Sequence, residues 1–578
     1  MRQGIITFPG NGDAYPWVVE RHGHFETELR DYISRERPEI DLNPIFDSVE
    51  NLLSYMPNPE NYNRNYRNST NREDIVKDGA NLQMVGLLYG RVQSGKTIAS
   101  ICLTALAADN GYRNIIVLTS NVELLHVQTM LDFKENLSNV KVLGEPTTNS
   151  LSDYSTRLNR LDNETICVIT GKKNPTSLKS IEKVVSDKRG LLPTLIIDDE
   201  GDQASLNIGK DDKNSEIYQT ISDIRSSIGL HCYITVTATP FANLQLDPNK
   251  EKELYPEIIQ SLSPGEGYTG ADVFFKTHKN QVWRNVPEEE KDSLKFYSDN
   301  SNFEETPFGL KNAVIYHLLT CRVRKLFNIR GEHSMLLNVH KDKKSHMIIK
   351  NNLESFLNYL SETCKIGSDR WSEIEKIARR AYEDLRNTFK PLQGVSLDLR
   401  SELYQSLSAG NLSIQMINAD NPNPPKYGGD FRSTFLIGQT KLGRGLRIRG
   451  LVTTYFLYTP KIANMDSYSQ ACRFFGYRER ILPFMRIFSP EITIRRWQHI
   501  RVMEKYTYDY LESLSMGSFD GLISLGRPLM LLQNKLKSAR KVKGQTDSEL
   551  SSPIDNVIWH MSEIPVGKNH DFEGIRED

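Results

Sequence analysis

The chain has 578 residues, a length typical of three or four domains of roughly 100–200 residues each. Its 72 Lys and Arg residues balance 73 Asp and Glu residues, so the formal net charge is −1. This balance excludes a protein that coats nucleic acid or an acidic membrane with its whole surface, and any nucleic-acid site must be a local groove.

The cysteine pattern and the hydropathy of the chain bear on its compartment. Six cysteines lie far apart with no Cys-x-x-Cys pair, namely Cys102, Cys167, Cys232, Cys321, Cys364 and Cys472. This spacing disfavours a disulfide framework or a cysteine zinc site and predicts buried, reduced thiols. No apolar run approaches the ~18 residues of a membrane helix, and the first residues lack the apolar stretch of a secretory signal. We therefore expect a soluble cytoplasmic protein that does not bind membranes.

Residues 1–80 are predicted to form an N-terminal extension that ends in a linker. Phe25, Leu29 and Tyr32 recur at helical spacing. The stretch 57–72 is rich in Asn and lacks periodicity, which is typical of a solvated linker. Its interleaved Tyr and Arg residues leave open an alternative in which they stack on bases.

Short apolar runs alternate with helical patterns from residue 83 onward. They occur at 85–89, 115–119, 166–170, 195–197 and 232–237, and again at 335–339, 414–417, 434–437, 454–458 and 485–488. Strands that alternate with helices predict βαβ units and mainly parallel sheets covered on both faces. The sequence therefore predicts an α/β fold with a first lobe over 81–248 and a second over 333–492. The other segments are expected to be helical in part: a connecting segment at 249–332, an insertion at about 342–410, and a C-terminal region at 493–578.

A phosphate-binding loop is predicted at residues 90–97, Gly-Arg-Val-Gln-Ser-Gly-Lys-Thr. This G-x-x-x-x-G-K-[ST] pattern follows a predicted strand and opens a predicted helix, the context in which backbone N–H groups can surround a phosphate. We expect Lys96 to reach the β- and γ-phosphates of ATP and the Thr97 hydroxyl to bind Mg²⁺. The alternative is a glycine-rich turn with a solvated lysine. The predicted nucleotide-binding residues of the loop are Gly90, Gln93, Ser94, Gly95, Lys96 and Thr97.

An acidic cluster ends the predicted strand at 195–197. In an open α/β sheet, ligands bind at the carboxyl ends of the strands. Asp199 is the predicted carboxylate on the Mg²⁺ side, and Glu200 is the predicted base that orients the attacking water. Asp198 and Asp202 are expected to be structural or coupling residues. Read alone, the cluster could also be an acidic turn.

The strand at 232–237 ends in Thr237-Ala-Thr239-Pro240. Its hydroxyls are expected at the same sheet edge as the acidic cluster. We therefore predict that Asp202, Thr237 and Thr239 couple the state of the γ-phosphate to the second lobe. Read alone, the segment is a strand that ends before a proline.

Guanidinium groups lie beside glycines in the second lobe. Gln470 and Arg473 are spaced i, i+3 and are predicted to share a helix face, and Arg478 is expected beyond the helix end. Arginines delivered from a second lobe stabilise the charge of a transferring phosphoryl group, so all three residues are catalytic candidates. Arg444 is a candidate for nucleotide binding. The alternative is that these arginines form surface ion pairs.

In this order the segments resemble the core of superfamily 2 helicases, with a phosphate loop, a D-E-x-D box at 199–202, a T-A-T-P turn and a Q-x-x-R segment. More narrowly, the chain is similar to the Z-one (Z1) domain family, labelled putative endonuclease. The resemblance spans 83–480 and rests on G-R-V-Q-S-G-K-T (90–97), I-D-D-E-G-D-Q-A-S-L-N (197–207), T-A-T-P-F-A-N (237–243), P-G-E-G-Y-T-G (264–270), H-S-M-L (333–336) and R-F-F-G-Y-R (473–478). Two positions depart from the family: Cys472 replaces a Gly, which crowds the predicted arginine helix, and Gly443 replaces a Ser.

The resemblance implies two RecA-like P-loop lobes that use ATP and Mg²⁺. It also implies a DNA-directed defence or restriction-like system, with a nuclease or a GHKL-type ATPase as protein partner. The sequence thus predicts an ATP-dependent, helicase-like motor or remodelling ATPase that acts on nucleic acid, with DNA preferred over RNA. One alternative is a nucleotide-gated DNA-binding sensor subunit without unwinding, and a second is an endonuclease, although no nuclease motif is apparent.

Local basic clusters must supply the nucleic-acid contacts because the net charge is near zero. The alternative for the cluster in the tail is a solvated basic helix. The candidates are Arg447, Arg449, Lys535, Lys537, Arg540, Lys541 and Lys543.

Overall fold

The computed structural model describes most of the chain up to residue 514. The described residues are 5–7, 17–37, 40–61, 83–162, 164–186, 191–202, 205, 215–240, 243, 254–290, 306–339, 343–365, 367–408, 410–417, 425–438, 447–458 and 465–514.

The first lobe contains an eight-stranded sheet in the order β1-β8-β2-β7-β6-β3-β5-β4. Its strands are β1 (Ile5–Thr7), β2 (Gln83–Gly90), β3 (Asn114–Thr119), β4 (Lys141–Gly144), β5 (Cys167–Lys172), β6 (Thr194–Asp199), β7 (His231–Thr237) and β8 (Ile258–Leu262). All neighbouring pairs are parallel except β1 with β8. The central strands are buried along nearly their whole length, as expected of a parallel sheet covered on both faces.

Helices cover both faces of this sheet. They are α1 (His24–Glu36), α2 (Asn43–Tyr55), α3 (Lys96–Asp109), α4 (Glu123–Asn136), α5 (Leu151–Asn159), α6 (Pro175–Val185) and α7 (Glu216–Ser226). The N-terminal pair α1 and α2 packs on α3, and its apolar residues join the core beneath the sheet. Local sequence sets the helix starts: α6 has Pro175 in its first turn, and the Asn174 side chain accepts a hydrogen bond from Ser177 N.

The second lobe contains a six-stranded, wholly parallel sheet in the order β10-β16-β14-β11-β13-β12. Its strands are β10 (Trp283–Asn285), β11 (His333–Asn338), β12 (Leu412–Met416), β13 (Ser433–Ile437), β14 (Leu451–Phe456) and β16 (Arg486–Ser489). Its helices are the four-residue α8 (Lys279–Val282), α9 (Phe308–Leu326), α10 (Lys343–Thr363), α11 (Trp371–Thr388), α12 (Leu399–Ser406), α13 (Met465–Ala471) and α14 (Glu491–Leu514). Short 3₁₀ turns lie at Thr148–Ser150, Lys390–Leu392 and Glu479–Phe484, and a π-helical turn at Val273–Thr277.

The two lobes share an apolar core. Val92 and Leu124 of the first lobe belong to the same buried cluster as Phe474 and Trp497 of the second. Phe275 stacks on Trp497 with ring centroids 5.4 Å apart. A two-stranded antiparallel ribbon, β9 (Tyr268–Thr269) with β15 (Gly476–Tyr477), lies at the same boundary. Burial of this apolar surface holds the lobes together.

The fold confirms the predicted α/β class with two lobes of RecA-like type. Every predicted strand is present within a few residues of its expected bounds. Three strands extend the sheets beyond the expected lobes. β8 and β10 lie in the segment 249–332 that was expected to connect the lobes, and β1 lies in the expected N-terminal extension and pairs with β8 at the edge of the first sheet. Short strands carry a weak sequence pattern, which explains why they were missed.

All six cysteines lie in the described residues and are buried and unpaired with one another. Among the helices that the structure describes, none is long and apolar enough to cross a membrane.

Candidate nucleotide site between the lobes

The phosphate loop has the backbone geometry that its sequence predicts. It leaves β2 at Gly90, and Gly95 (φ 100°) caps α3 in the left-handed region that favours glycine. A Cβ on Gly90 would lie 3.0 Å from both Ser94 Oγ and Lys96 Cγ, so the turn has no room for a side chain there. The buried Ser94 hydroxyl has no hydrogen-bond partner within the described residues. This orphaned hydroxyl inside a loop of N–H groups fits a phosphate ligand.

Lys96 opens α3 and points back over the loop. Its Nζ donates a hydrogen bond to the Arg91 carbonyl at 3.1 Å. Burial lowers the pKa of Lys96 to about 8, and the carboxylates of Asp199 and Glu200 oppose that shift. The lysine therefore lies in the same electrostatic site as the acidic strand end.

Asp199 and Glu200 stand where β6 ends, as predicted. Burial and, second, the neighbouring Glu200 carboxylate raise the pKa of Asp199 to about 7, against the lowering effect of Lys173 and Lys96. Glu200 has φ 54°, an uncommon conformation for a residue with a side chain. Two adjacent carboxylates crowded in this way fit a divalent cation held by Asp199 and, in the first turn of α3, by Thr97. No cluster of three or more His, Cys, Asp or Glu side chains suited to a metal occurs in the described part of the chain.

Lys173 also belongs to this site, and sequence reasoning missed it. It follows β5, is 2 % exposed, and its Nζ donates to Asp198 Oδ1 at 2.8 Å. The same Nζ donates to the backbone carbonyls of Asp199 at 2.7 Å and Glu200 at 2.9 Å. The only available signal was a lysine at the carboxyl end of a predicted strand, which many solvated lysines share.

The predicted coupling residues meet in one buried network. Asp202 accepts hydrogen bonds from the hydroxyls of Thr237 and Thr239, each at 2.9 Å. Gln470 of the second lobe donates from Nε2 to Thr239 Oγ1 at 3.2 Å. A continuous chain of hydrogen bonds thus runs from the acidic strand end of the first lobe to the second lobe.

The predicted shared helix face for Gln470 and Arg473 is wrong. Helix α13 ends at Ala471, and Arg473 lies in the turn that follows, where its N–H donates to the Ala471 carbonyl. The chain turns here toward Gly476, whose φ of 116° no side chain favours. Arg473 is nonetheless buried, and its positive charge is among those that lower the pKa of Lys96. Arg473 therefore lies near enough to Lys96 for their charges to interact, and its catalytic role stays a prediction.

Arg478 lies beyond the helix end, as predicted, but its guanidinium contacts the second lobe itself. Its Nη2 donates to the Ile448 carbonyl at 3.0 Å, and its Nε donates to the Phe475 carbonyl at 3.4 Å. Burial lowers the pKa of Arg478 to about 10. These contacts are those of a residue that fixes the local backbone.

A family model described as the Z1 domain matches residues 309–518. We call these residues the Z1-matched region, which is about a third of the chain. A curated relative, the ATP-dependent DNA helicase RecG of Aquifex aeolicus (strain VF5), is 26 % identical over 234 residues, which are 39 % of this chain and 26 % of that protein. The chain thus matches about a quarter of the length of this relative.

Two solved structures are similar in fold at low identity. The DUF1998 helicase MrfA bound to DNA has a TM-score of 0.40 at 10 % identity, over 86 % of this chain and 56 % of that one. Mycobacterium smegmatis helicase Lhr bound to ssDNA and AMP-PNP has a TM-score of 0.36 at 11 % identity, over 82 % and 50 %.

Two tyrosine-bearing segments contact the phosphate loop, one in the Z1-matched region and one before it. Tyr477 of β15 donates its hydroxyl hydrogen to the Ser94 carbonyl at 3.2 Å, and its oxygen accepts from Gly265 N at 3.0 Å. Tyr268 of the partner strand β9 donates to the Val92 carbonyl at 2.6 Å. These residues lie in the sequence segments 264–270 and 473–478, on which the family resemblance rests. The resemblance alone did not predict that they contact the phosphate loop.

The last described helix, α14, lies in the Z1-matched region and also contacts the first lobe. The Arg91 guanidinium lies 4.6 Å from the centre of the Tyr508 ring, and Tyr89 packs against that ring at 5.8 Å. Glu504, one turn earlier, has its pKa raised to about 7 by burial. The Z1-matched region therefore contacts the phosphate loop through both β15 and α14.

The predicted nucleic-acid residues have differing outcomes. Arg447 forms an ion pair with Asp132 of α4 in the first lobe, with one contact of 2.6 Å, so its guanidinium already has a protein partner. Arg449 is exposed, and its contact with nucleic acid stays a prediction. The remaining nucleic-acid candidates lie outside the described residues: Lys535, Lys537, Arg540, Lys541 and Lys543. The nucleotide-binding candidate Arg444 lies outside them as well.

Proposed function

We propose that the chain is a helicase-like ATPase that uses ATP and Mg²⁺ to move along or remodel nucleic acid, with DNA as the preferred substrate. One observation carries this proposal: the phosphate loop, the acidic strand end and the turn of the Z1-matched region that bears Arg473 converge in one site between two parallel-sheet lobes. The similarity to a DNA helicase supports the choice of nucleic acid.

Each residue has a chemical task in this proposal. Ser94, the N–H groups of the loop and Lys96 bind the phosphates. Mg²⁺, when bound, would neutralise charge on the β- and γ-phosphates, and Thr97 and Asp199 would hold it. Glu200 orients the attacking water and accepts its proton.

The Z1-matched region supplies the charge that favours the transition state. Arg473 lies near Lys96 and is buried, so a guanidinium there acts in a medium that screens it poorly. Gln470 reports the state of the site through Thr239 and Asp202. Closing and reopening of the lobes around ATP would then alter the grip on a strand that lies across both lobes.

The test is the ATPase rate measured in parallel with no nucleic acid, single-stranded DNA, duplex DNA and RNA. We expect the largest stimulation by DNA, and equal rates in all four arms would contradict a nucleic-acid motor. Unwinding assays on forked and blunt duplexes separate a motor from a nucleotide-gated sensor subunit, because the sensor hydrolyses slowly and separates no strands. A supercoiled plasmid incubated with Mg²⁺ tests the endonuclease alternative.

We further propose that the protein serves a DNA defence or restriction-like system with a nuclease or a GHKL-type ATPase as partner. The family resemblance supports this role. Phage plating on cells that carry the complete gene cluster, with wild type or Glu200→Gln, tests it, and equal plating efficiencies would refute it.

A further inference from the structure

Lys173 is a buried lysine that the proposed chemistry does not use. It lies just beyond β5, two strands away from β6 in the sheet, and yet its ammonium reaches the main chain at the end of β6. Its three acceptors belong to three consecutive residues: the carboxylate of Asp198 and the carbonyls of Asp199 and Glu200. A lysine ammonium has three protons, so every donor is satisfied.

The other side of this contact is also fixed. Asp198 is fully buried, and its second oxygen accepts a hydrogen bond from the Tyr233 hydroxyl at 2.5 Å. The next residue but one, Glu200, has the left-handed φ of 54°, and its N–H donates to the Val236 carbonyl at 2.8 Å. Non-glycine residues keep this conformation only where the surroundings hold it in place. Lys173 binds the carbonyl of the Asp199–Glu200 peptide link and that of the next link, Glu200–Gly201, and therefore restrains the two peptide planes that flank the Glu200 Cα.

We propose that Lys173 is a positioning residue that fixes the main chain of Asp199 and Glu200, so that the Glu200 carboxylate stands where it can orient the attacking water. This inference rests on the proposed ATPase function. All three N–H donors of Lys173 bond to residues at the end of β6, so none is left to bind the nucleotide. Its loss should therefore lower the rate of hydrolysis and leave nucleotide affinity intact.

The experiment compares Lys173→Met with the matched control Lys172→Met in the full-length protein. Lys172 is the neighbouring lysine. It forms ion pairs with Glu123, in the first turn of α4, and with Glu145, just after β4. Turnover is measured as kcat for ATP, and affinity as the Kd of a fluorescent ATP analogue. Misplacement of a reacting group by about 1 Å can cost about a hundredfold in rate. We expect Lys173→Met to lose about a hundredfold in kcat with Kd within about twofold, and Lys172→Met to match wild type.

A double-mutant cycle with Glu200→Gln shows whether Lys173 acts through Glu200. If it does, Lys173→Met has little further effect on the residual rate of Glu200→Gln. Multiplicative losses, or a wild-type kcat for Lys173→Met, would overturn the inference. Lys173→Arg, which keeps the charge and several donors, should recover part of kcat, and the same rate as Lys173→Met would also count against it.

Lys173→Met leaves the buried Asp198 carboxylate without its cation and can unfold the protein. A second variant, Lys173→Met with Asp198→Asn, removes both charges and still leaves the two carbonyls without their donor. A folded double variant with wild-type kcat would refute the role. If wild type itself hydrolyses no nucleoside triphosphate, the proposed function fails and the role of Lys173 with it. If wild type is active, Glu200→Gln is inactive and Lys173→Met is normal, only this inference fails.

Discussion

The hydrogen bond from Gln470 to Thr239 gives a sharp test of communication between the lobes. Gln470→Ala removes a single neutral donor from a buried network at a distance of 3.2 Å. Such a bond contributes about 0.5–1.5 kcal/mol, which corresponds to about two- to twelvefold in an equilibrium between open and closed lobes. Thr239→Val removes this bond and also the charge-assisted bond to Asp202, which adds about 1.5–3 kcal/mol. Thr239→Val should therefore be the more damaging change.

The assay is the affinity for single-stranded DNA with and without a non-hydrolysable ATP analogue. In wild type we expect the analogue to change that affinity, and Gln470→Ala should reduce the effect by about two- to twelvefold. Gln470→Ala added to Thr239→Val should do nothing more, because the bond is already absent. Thr239→Ser keeps the hydroxyl and serves as the control. Independent, additive effects of the two substitutions, or a Thr239→Ser protein that behaves like Thr239→Val, would refute the proposed path.

Four further predictions concern hydrolysis, the tail and stability. Glu200→Gln should bind a fluorescent ATP analogue normally and lose steady-state turnover, and wild-type turnover would contradict its role as base. Arg473→Ala should lower kcat by about a thousandfold with little change in analogue affinity, since its contact strengthens as charge develops; equal losses in both would point to ground-state binding. Removal of three charges at Lys535, Lys537 and Arg540 should make the binding of single-stranded DNA less dependent on salt. The slope of log affinity against log salt should become shallower by about 0.7 for each phosphate contact that is lost. If the titrations of wild type and the triple variant superimpose, the tail is not part of the DNA-binding surface. Burial lowers the pKa of His317 to about 3, so the folded protein keeps it neutral while the unfolded chain takes up a proton below about pH 6.5. The free energy of unfolding should therefore fall on acidification between about pH 6.5 and 3, by up to about 1.4 kcal/mol per pH unit for this histidine, and His317→Phe should reduce the slope in urea titrations.

The sequence predicted those parts of the fold that local pattern controls. The strand–loop–helix around Lys96 and the acidic end of β6 follow from apolar runs, glycines and a motif whose spacing matches its mechanism. The short strands β8 and β10 escaped prediction because runs of three to five residues give little periodicity. The sequence also did not show where α13 ends. The i, i+3 spacing of Gln470 and Arg473 suggested one helix, but that helix ends at Ala471.

Contacts between residues far apart in the chain could not be predicted from the sequence. Lys173 meets Asp198 across 25 positions of chain, and Tyr477 meets Ser94 across 383. No spacing rule links such pairs, because only the order of strands in the sheet and the packing of the lobes bring them together. The coupling residues Asp202, Thr237 and Thr239 were predicted correctly as neighbours since β6 and β7 are adjacent parallel strands that end at one edge.

The aromatic core shared by the lobes has a consequence for how this protein can be inherited. The Z1-matched region begins at 309, but its sheet takes the edge strand β10 from residues 283–285, and Phe275 covers Trp497 from still earlier in the chain. A gene fragment that begins at residue 309 would encode the second sheet without its edge strand β10. It would also lack Phe275, so the Trp497 ring would lose that cover. Recombination that joined the Z1-matched region to a foreign first lobe would also break the contact between the Arg91 guanidinium and the Tyr508 ring. The Z1-matched region and the first lobe are therefore expected to pass between genomes as a single unit.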